Sequence, residues 1–358
     1  MIKQLIGGKD KIGGRQKKER PVLSGRETEE DAVFCLSLRP KKLCEFIGQE
    51  ETVESLKIAI AAARQRKEPL DHVFLSGPPG LGKTALSFII AQEMGTKVTA
   101  TSGPAIERAG DLIGILTNLD SGDVLFIDEI HRMSKVVEEF LYPAMENFQI
   151  DFIIDKGPYA RTIKFNLKRF TLIGATTRSG MLSAALRSRF GIFYHFDFYP
   201  PRDLSQIVVR SAGLLGINIE PDAALEIARR SRGTPRIANR LLRRVRDYAQ
   251  VKSRADVISK DIAAQALSCL RIDEKGLDDC DRRVLRAIVD FYSGGPVGID
   301  SLAATLNEER DTLVDTVEPY LLKIGYLKRT ARGRSLGDAA YDHLGVTRRR
   351  QVQGELFR

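Results

Sequence analysis

The stretch VLFIDEIH, from Val124 to His131, passes from four apolar residues directly into an aspartate and a glutamate. An apolar run of this length predicts a buried strand, with Asp128 and Glu129 at its carboxyl end. Two carboxylates beside a buried strand are costly unless a partner offsets their charge. Because ligands of open α/β sheets bind at the carboxyl ends of the strands, the stretch predicts a ligand site there.

A second motif, GPPGLGKT from Gly77 to Thr84, lies about 45 residues before these carboxylates and fits the pattern GxxxxGKT. The preceding HVFLSG predicts a strand and the residues from Lys83 to Met94 predict a helix, which is the context that this phosphate loop requires. Its glycines allow backbone N–H groups to surround phosphates, Lys83 reaches the β and γ phosphates, and Thr84 offers a hydroxyl to Mg²⁺. Together the two motifs predict hydrolysis of a nucleoside triphosphate.

The two carboxylates receive different roles in this interpretation. Asp128 can hold Mg²⁺ through its water shell, and Glu129 can polarise the water that attacks the γ phosphate. A further apolar run, FTLIGATT, predicts a strand that brings Thr176 and Thr177 between the two motifs. These threonines either contact the γ phosphate or the attacking water, or are structural.

Two arginines and one histidine near these motifs leave alternatives open. Arg187 and Arg189, in LRSRFG, fall at a predicted helix end. A guanidinium there either stabilises the phosphoryl charge in a neighbouring subunit's site or serves only its own chain. His131 either transmits the state of the site to a partner or packs on its neighbours.

Alternating strands and helices up to Tyr199 predict a parallel sheet with helices on both faces. Helical patterns then continue to about Leu270, and the last segment combines helices with the basic hairpin GYLKRTARGRS, as in a winged helix-turn-helix. The predicted organisation is a flexible basic arm (1–36), a large ATPase domain (37–199), a small helical domain (200–272), a winged-helix DNA-binding domain (273–347) and a tail (348–358).

Charge and composition limit the classes of partner that the chain is expected to bind. Lys and Arg outnumber Asp and Glu by 56 to 47, and ten basic residues face one acidic residue between Arg229 and Arg254. This excess favours nucleic acid, although a solvated helix face would give the same pattern.

The chain has no apolar run of about 18 residues and no secretory signal, which predicts a cytoplasmic protein without a membrane partner. Four cysteines without a CxxC pair indicate neither disulfides nor zinc.

These motifs resemble those of the AAA+ ATPases, and more closely those of the RuvB family of bacterial Holliday junction branch-migration motors. The resemblance covers residues 37 to 347. It rests on LRPKKLCEFIGQ, GPPGLGKT, TSGPAIERAGDL, LFIDEIHRMS, LYPAMENF, GATTRSG, LRSRFGI, RGTPRIANRLLRRVRD and GGPVGIDSLAATLNEERDTLVDTVEPYLLKIGYLKRT. It implies an α/β AAA+ P-loop ATPase domain, a helical lid and a C-terminal winged helix.

The resemblance also implies an activity. A homohexameric ring would use ATP and Mg²⁺ to pull double-stranded DNA from a Holliday junction, together with a RuvA-like junction-binding tetramer and a junction resolvase. This places the chain in homologous recombination, DNA repair and the SOS response. Two alternatives stay open: a clamp-loader-like AAA+ ATPase, and a DNA-binding regulator that uses nucleotide only as a switch.

Residue roles follow from the same resemblance. Thr177 takes the sensing position at the strand end, Arg189 becomes an arginine finger acting in trans, and Arg236 resembles the second sensor. The implied nucleotide contacts are Leu38, Arg39, Gly80, Gly82, Lys83, Thr84, Ala85, Glu146, Asn147, Phe148, Arg189, Tyr199 and Arg236. The implied DNA contacts are Arg329, Arg332 and Arg334, and the partner contacts are Ile163 and Phe165 on a protruding hairpin.

Three features depart from the family pattern. Ala331 stands where family wings usually have a proline, which loosens the wing but keeps its charge. Phe165 is bulkier than the aliphatic residue common at that position of the hairpin. The basic N-terminal arm is longer than usual, and the sequence assigns it no role.

Overall fold

The computed structural model describes residues 36–154 and 161–347, and the predicted basic arm and C-terminal tail lie almost entirely outside them. A five-stranded parallel sheet organises the first part of the chain. The strands are β1 (Val73–Ser76), β2 (Val98–Ser102), β3 (Val124–Asp128), β6 (Thr171–Thr176) and β7 (Ile192–His195). They lie in the order β2-β3-β6-β1-β7. The predicted parallel sheet is confirmed, with β6 between β3 and β1.

Helices cover both faces of this sheet. They are α1 (Glu50–Arg66), α2 (Lys83–Met94), α3 (Ala109–Thr117), α4 (Lys135–Glu146) and α5 (Ala184–Arg187). Alternate strand residues enter different cores: Phe126 packs in one cluster, whereas Leu125 and Ile127 pack in the other. Because both faces are buried, the central strands need continuous apolar runs, which explains why VLFID was readable from the sequence.

An antiparallel hairpin of β4 (Gln149–Ile154) and β5 (Arg161–Asn166) leaves the ATPase domain between α4 and β6. Its register pairs Phe152 with Ile163 and Ile150 with Phe165. Ile150 is fully buried in the core beside α4, so the base of the hairpin is anchored in the domain.

A small helical unit follows Tyr199. It contains α6 (Pro201–Leu214), α7 (Pro221–Arg229), α8 (Pro235–Tyr248) and α9 (Lys260–Cys269). The expectation that strands stop at this point was wrong in one detail, because the two-residue strands β8 (Asn218–Ile219) and β9 (Val257–Ile258) pair in parallel here. Such short strands carry too few residues to show an alternating pattern.

The last unit has its own core and a two-stranded wing. Its elements are α10 (Asp279–Tyr292), α11 (Ile299–Leu306), α12 (Arg310–Thr312), α13 (Glu318–Lys323), β10 (Leu327–Thr330), β11 (Gly333–Leu336) and α14 (Asp338–Leu344). A π-helical segment, Leu313–Val317, joins α12 to α13, so the helical stretch from residue 310 to residue 323 contains a π-helical turn. We call the continuous segment 310–323 the wing helix. No helix in the described residues is both long and apolar enough to cross a membrane.

Candidate functional site

The phosphate loop joins β1 to α2 and turns tightly against the end of the sheet. Gly77 has φ +137°, and a Cβ atom at this position would lie 2.5 Å from the carbonyl oxygen of Phe196. Only glycine allows this close approach. The buried Lys83 points back into the loop, where Nζ donates to the carbonyl oxygens of Gly77 and Pro78 at 2.8 Å each. These two carbonyl oxygens therefore occupy the ammonium group that a bound phosphate would contact.

The end of β3 brings both predicted carboxylates to this loop. Thr84 Oγ1 lies 3.4 Å from Asp128 Oδ2, and Asp128 Oδ1 accepts from the backbone N–H of Glu129 at 2.9 Å. Glu129 has a left-handed backbone with φ 48°, which turns its side chain toward β6. There its Oε2 accepts a hydrogen bond from Thr177 Oγ1 at 3.1 Å. Three separate motifs thus converge on one point.

Burial and mutual charge shift the pKa values of this cluster. Burial lowers the pKa of Lys83 to about 8, against the opposing attraction of Asp128 and Glu129. The pKa of the Glu129 carboxyl is raised, first by burial and then by the charge of Asp128. Lys83 and the two carboxylates carry opposite charges in a partly buried site. Such a site favours a charged ligand that compensates these charges.

His131 and Thr176 form a second layer behind Glu129. Thr176 Oγ1 lies 2.7 Å from His131 Nδ1, and the same nitrogen lies 3.2 Å from Glu129 Oε2. The backbone N–H of Arg178 also donates to Thr176 Oγ1 at 3.0 Å. Burial, followed by the charge of Arg178, lowers the pKa of His131. Of the two threonines, Thr177 therefore contacts the carboxylate of Glu129 and Thr176 contacts His131.

A cavity of about 270 Å³ lies over the loop, between the ATPase domain and the helical lid. Most of the predicted nucleotide contacts line it: Leu38, Arg39, Gly80, Gly82, Lys83, Thr84, Ala85, Tyr199 and Arg236. The residues predicted to act in catalysis, Asp128, Glu129 and Thr177, line it as well. The sequence reasoning missed Phe46, Arg210 and Asn239 in the same wall. Asn239 follows Arg236 by one helical turn, a spacing that could have indicated it.

The residues present suit Mg²⁺. The hydroxyl of Thr84 and the carboxylate of Asp128 supply hard oxygen ligands at the cavity wall, and this cation usually completes its shell with water and phosphate oxygens. The described residues hold no cluster of three or more His, Cys, Asp or Glu side chains that would favour a closed, all-protein metal site.

Comparison with known proteins agrees with this geometry. The sequence models of three consecutive domains match: the Holliday junction DNA helicase RuvB P-loop domain at residues 38–196, the RuvB AAA lid domain at 199–273 and the RuvB C-terminal winged helix domain at 274–345. The chain belongs to the RuvB family.

Individual relatives of this RuvB-family chain resemble it over most of their length. The Holliday junction branch migration complex subunit RuvB of Desulfosudis oleivorans is 59% identical over 321 residues, which cover 89% of this chain and 93% of that protein. The solved structure of the Thermotoga maritima RuvB Holliday junction branch migration motor matches with a TM-score of 0.81 and 52% identity, covering 87% of this chain and 99% of that one.

Four of the predicted nucleotide contacts of this RuvB-family chain lie away from its own cavity. They are Glu146, Asn147, Phe148 and Arg189. Arg189 Nη2 lies 3.0 Å from Glu146 Oε1, and its guanidinium stacks over the ring of Tyr142 at 4.4 Å. The arginine is therefore held after the end of α5 by contacts with the C-terminal half of α4, and it is not among the residues that line the cavity of its own chain.

The wing arginines have unequal surroundings in this RuvB-family fold. Arg329 and Arg334 both donate to the carboxylate of Glu318, which is 3% exposed, whereas Arg332 is exposed at the wing tip. The side chain of Arg334 is only 16% exposed, compared with 55% for Arg329. Arg334 thus has a structural partner that the sequence did not reveal.

On the hairpin, Phe165 of β5 is 44% exposed, so it does not line the core. Ile163 lies in the same strand, two residues away, and its side chain is outside the described part of the chain.

Proposed function

We propose that this chain is the ATP-driven motor subunit that moves Holliday junctions along DNA. One observation carries the proposal: Lys83, Thr84, Asp128, Glu129 and Thr177 meet at the cavity that also receives Arg236 from the lid. A site shared by two domains changes when its ligand is hydrolysed, which is the physical basis of a motor stroke.

The residues divide the work of hydrolysis. Lys83 exchanges its loop carbonyl partners for phosphate oxygens, and its charge stabilises the β and γ phosphates. Glu129 orients and polarises the attacking water, while Thr177 holds the carboxylate through the 3.1 Å hydrogen bond. Thr84 and Asp128 would hold Mg²⁺, which supplies electrostatic neutralisation of the phosphate charge when bound. Leu38, Arg39 and Tyr199 enclose the base and ribose.

We assign Arg189 to the site of a neighbouring subunit in a homohexameric ring. Arg189 does not line its own cavity, and it pairs with Glu146, which Asn147 and Phe148 follow in the chain; both observations support an edge that faces the next subunit's nucleotide. An arginine supplied in trans stabilises the charge of the transferring phosphoryl group and makes each site depend on two subunits.

The remaining surfaces would contact DNA and protein partners. The exposed Phe165 and its neighbour Ile163 fit a RuvA-like tetramer, since an exposed aromatic on a protruding hairpin is typical of an interface. Arg332 and Arg329 fit duplex DNA through phosphates. A junction resolvase, cytoplasmic location, and a role in DNA repair and the SOS response belong to the same proposal.

The two alternative functions have less support. A clamp-loader-like ATPase has no need of the winged helix. A nucleotide-switched regulator has no need of a water-polarising carboxylate, which is the role that we propose for Glu129. The observed site therefore favours a hydrolysing motor.

Dissociation of a synthetic four-way junction tests the proposal. With ATP and a RuvA-type tetramer we expect the protein to convert the junction into duplex products, whereas ADP or the Lys83→Ala variant should give none. ATP turnover without any movement of the junction would instead support the regulator, and movement that is equally fast with ADP would contradict the proposal.

A further inference from the structure

Arg178, the residue after Thr177, connects the catalytic strand end with the winged-helix unit. Its Nε and Nη2 donate to the two carboxylate oxygens of Asp315 at 2.7 Å each, and Nη2 also donates to Asp311 at 2.9 Å. The guanidinium side chain is 27% exposed, and that of Asp315 is 34% exposed. This bidentate ion pair fixes the relative orientation of the two side chains and is stronger than a typical surface ion pair.

The wing helix holds both acids, Asp315 in its π-helical segment and Glu318 three residues later at the start of α13. Asp315 forms an ion pair with Arg178 of the ATPase domain. Glu318 forms ion pairs with Arg329 and Arg334, one from each strand of the wing. The hydrogen bond to Glu318 raises the pKa of Arg329, and the charge of Arg178 opposes this effect. One short helix therefore joins the catalytic strand end to the wing.

Arg178 is also connected to Glu129, through the backbone of the strand end. The backbone N–H of Arg178 donates to Thr176 Oγ1, and Thr177, the residue between them, donates to Glu129 Oε2. A second cavity of about 150 Å³, which shares Glu129 and Thr177 with the first, is also lined by Asp315. These contacts connect the wing helix with the turn that holds Glu129.

We propose that Arg178 is a positioning residue that couples DNA on the wing to the orientation of Glu129. DNA phosphates compete with Glu318 for the exposed Arg329, which alters the charge balance of the wing helix and its hold on Arg178. By reciprocity, nucleotide at Glu129 and Thr177 alters the affinity of the wing for DNA. The inference rests on the proposed function and adds a route from DNA to the ATP site within one subunit.

The test compares ATP turnover with and without duplex DNA in the full-length protein. The variant Asp315→Asn keeps the shape of the side chain but weakens the pair with Arg178. We expect DNA stimulation of turnover to fall about fivefold or more, the lower range of allosteric coupling, while the KM for ATP stays the same. Arg178→Ala should show the same loss, and Arg178→Lys should recover part of it because one charge is retained.

Arg310→Gln provides the matched control, because Arg310 stands on the same wing helix and makes an exposed 3.6 Å ion pair with Asp300 rather than an ion pair with Asp315. Its DNA stimulation should equal that of the parent. Equal stimulation in Asp315→Asn and the parent would overturn the coupling while leaving the motor proposal intact. A parent protein without ATP turnover would instead contradict the motor proposal itself.

Discussion

His72 shows how a single buried side chain ties three elements together. Its Nδ1 accepts from the backbone N–H of Leu172 in β6 at 2.9 Å, so Nε2 carries the hydrogen and donates to the carbonyl oxygen of Met145 in α4 at 3.1 Å. Burial lowers the pKa of the ring below 6.5. The folded protein therefore holds this histidine neutral.

We predict that His72 makes the protein less stable at mildly acidic pH. The unfolded chain takes up a proton near pH 6.5 that the folded ring does not, so the stability contribution is complete above pH 6.5 and is lost as the pH falls below it. The loss should approach about 1.4 kcal/mol per pH unit below that point. Urea unfolding of the parent and His72→Gln between pH 7.5 and 5.5 should show a shallower slope for the variant, and parallel slopes would contradict the prediction.

At the same scale, the sequence predicted those residues whose chemistry is tied to a motif. Lys83, Thr84, Asp128 and Glu129 lie where the motif spacing places them, because a strand, a tight turn and a helix leave little freedom. The partners of Thr176 could not be predicted, since His131 comes from another loop and their contact depends on how two strand ends pack. Glu318 was missed for the same reason.

The helices and strands differ in how well they can be predicted from the sequence. The central strands were readable because both of their faces are buried, whereas the edge strands β2 and β7 mix polar and exposed residues and were not predicted. The π-helical segment of the wing helix leaves no periodic signal of its own, yet it carries Asp315.

The wing yields a prediction at the scale of the element. Arg332→Ala should weaken DNA binding on all sequences alike and reduce the salt dependence by about one phosphate contact, without changing the melting temperature. Arg334→Ala should also destabilise the fold by about 1–3 kcal/mol, because it removes one of the two partners of the buried Glu318. Fluorescence anisotropy at several salt concentrations, together with thermal unfolding, separates these effects.

Arg332→Lys serves as the control, since it keeps the charge at the wing tip. Unchanged DNA affinity and salt dependence in Arg332→Ala would remove this residue from the interface.

At the scale of the whole molecule, contacts between units were beyond the reach of sequence patterns. Periodicity indicates which face of a helix is buried, but it does not indicate that Arg178 meets Asp315 across two units separated by the lid in the sequence. The separation of Arg189 from its own cavity is a property of the same kind. It leads to the central claim that each ATP site needs Glu129 from one subunit and Arg189 from another.

Mixing two inactive variants tests this claim most directly. Glu129→Gln keeps the phosphate loop but lacks the carboxylate that polarises water, and Arg189→Ala lacks the finger. Each should bind Mg²⁺-ATP without turnover when assayed alone. In a one-to-one mixture about one interface in four combines an intact Glu129 with an intact Arg189, so ATP hydrolysis should reappear. Absence of hydrolysis at every mixing ratio, in rings shown to contain both variants, would contradict the account.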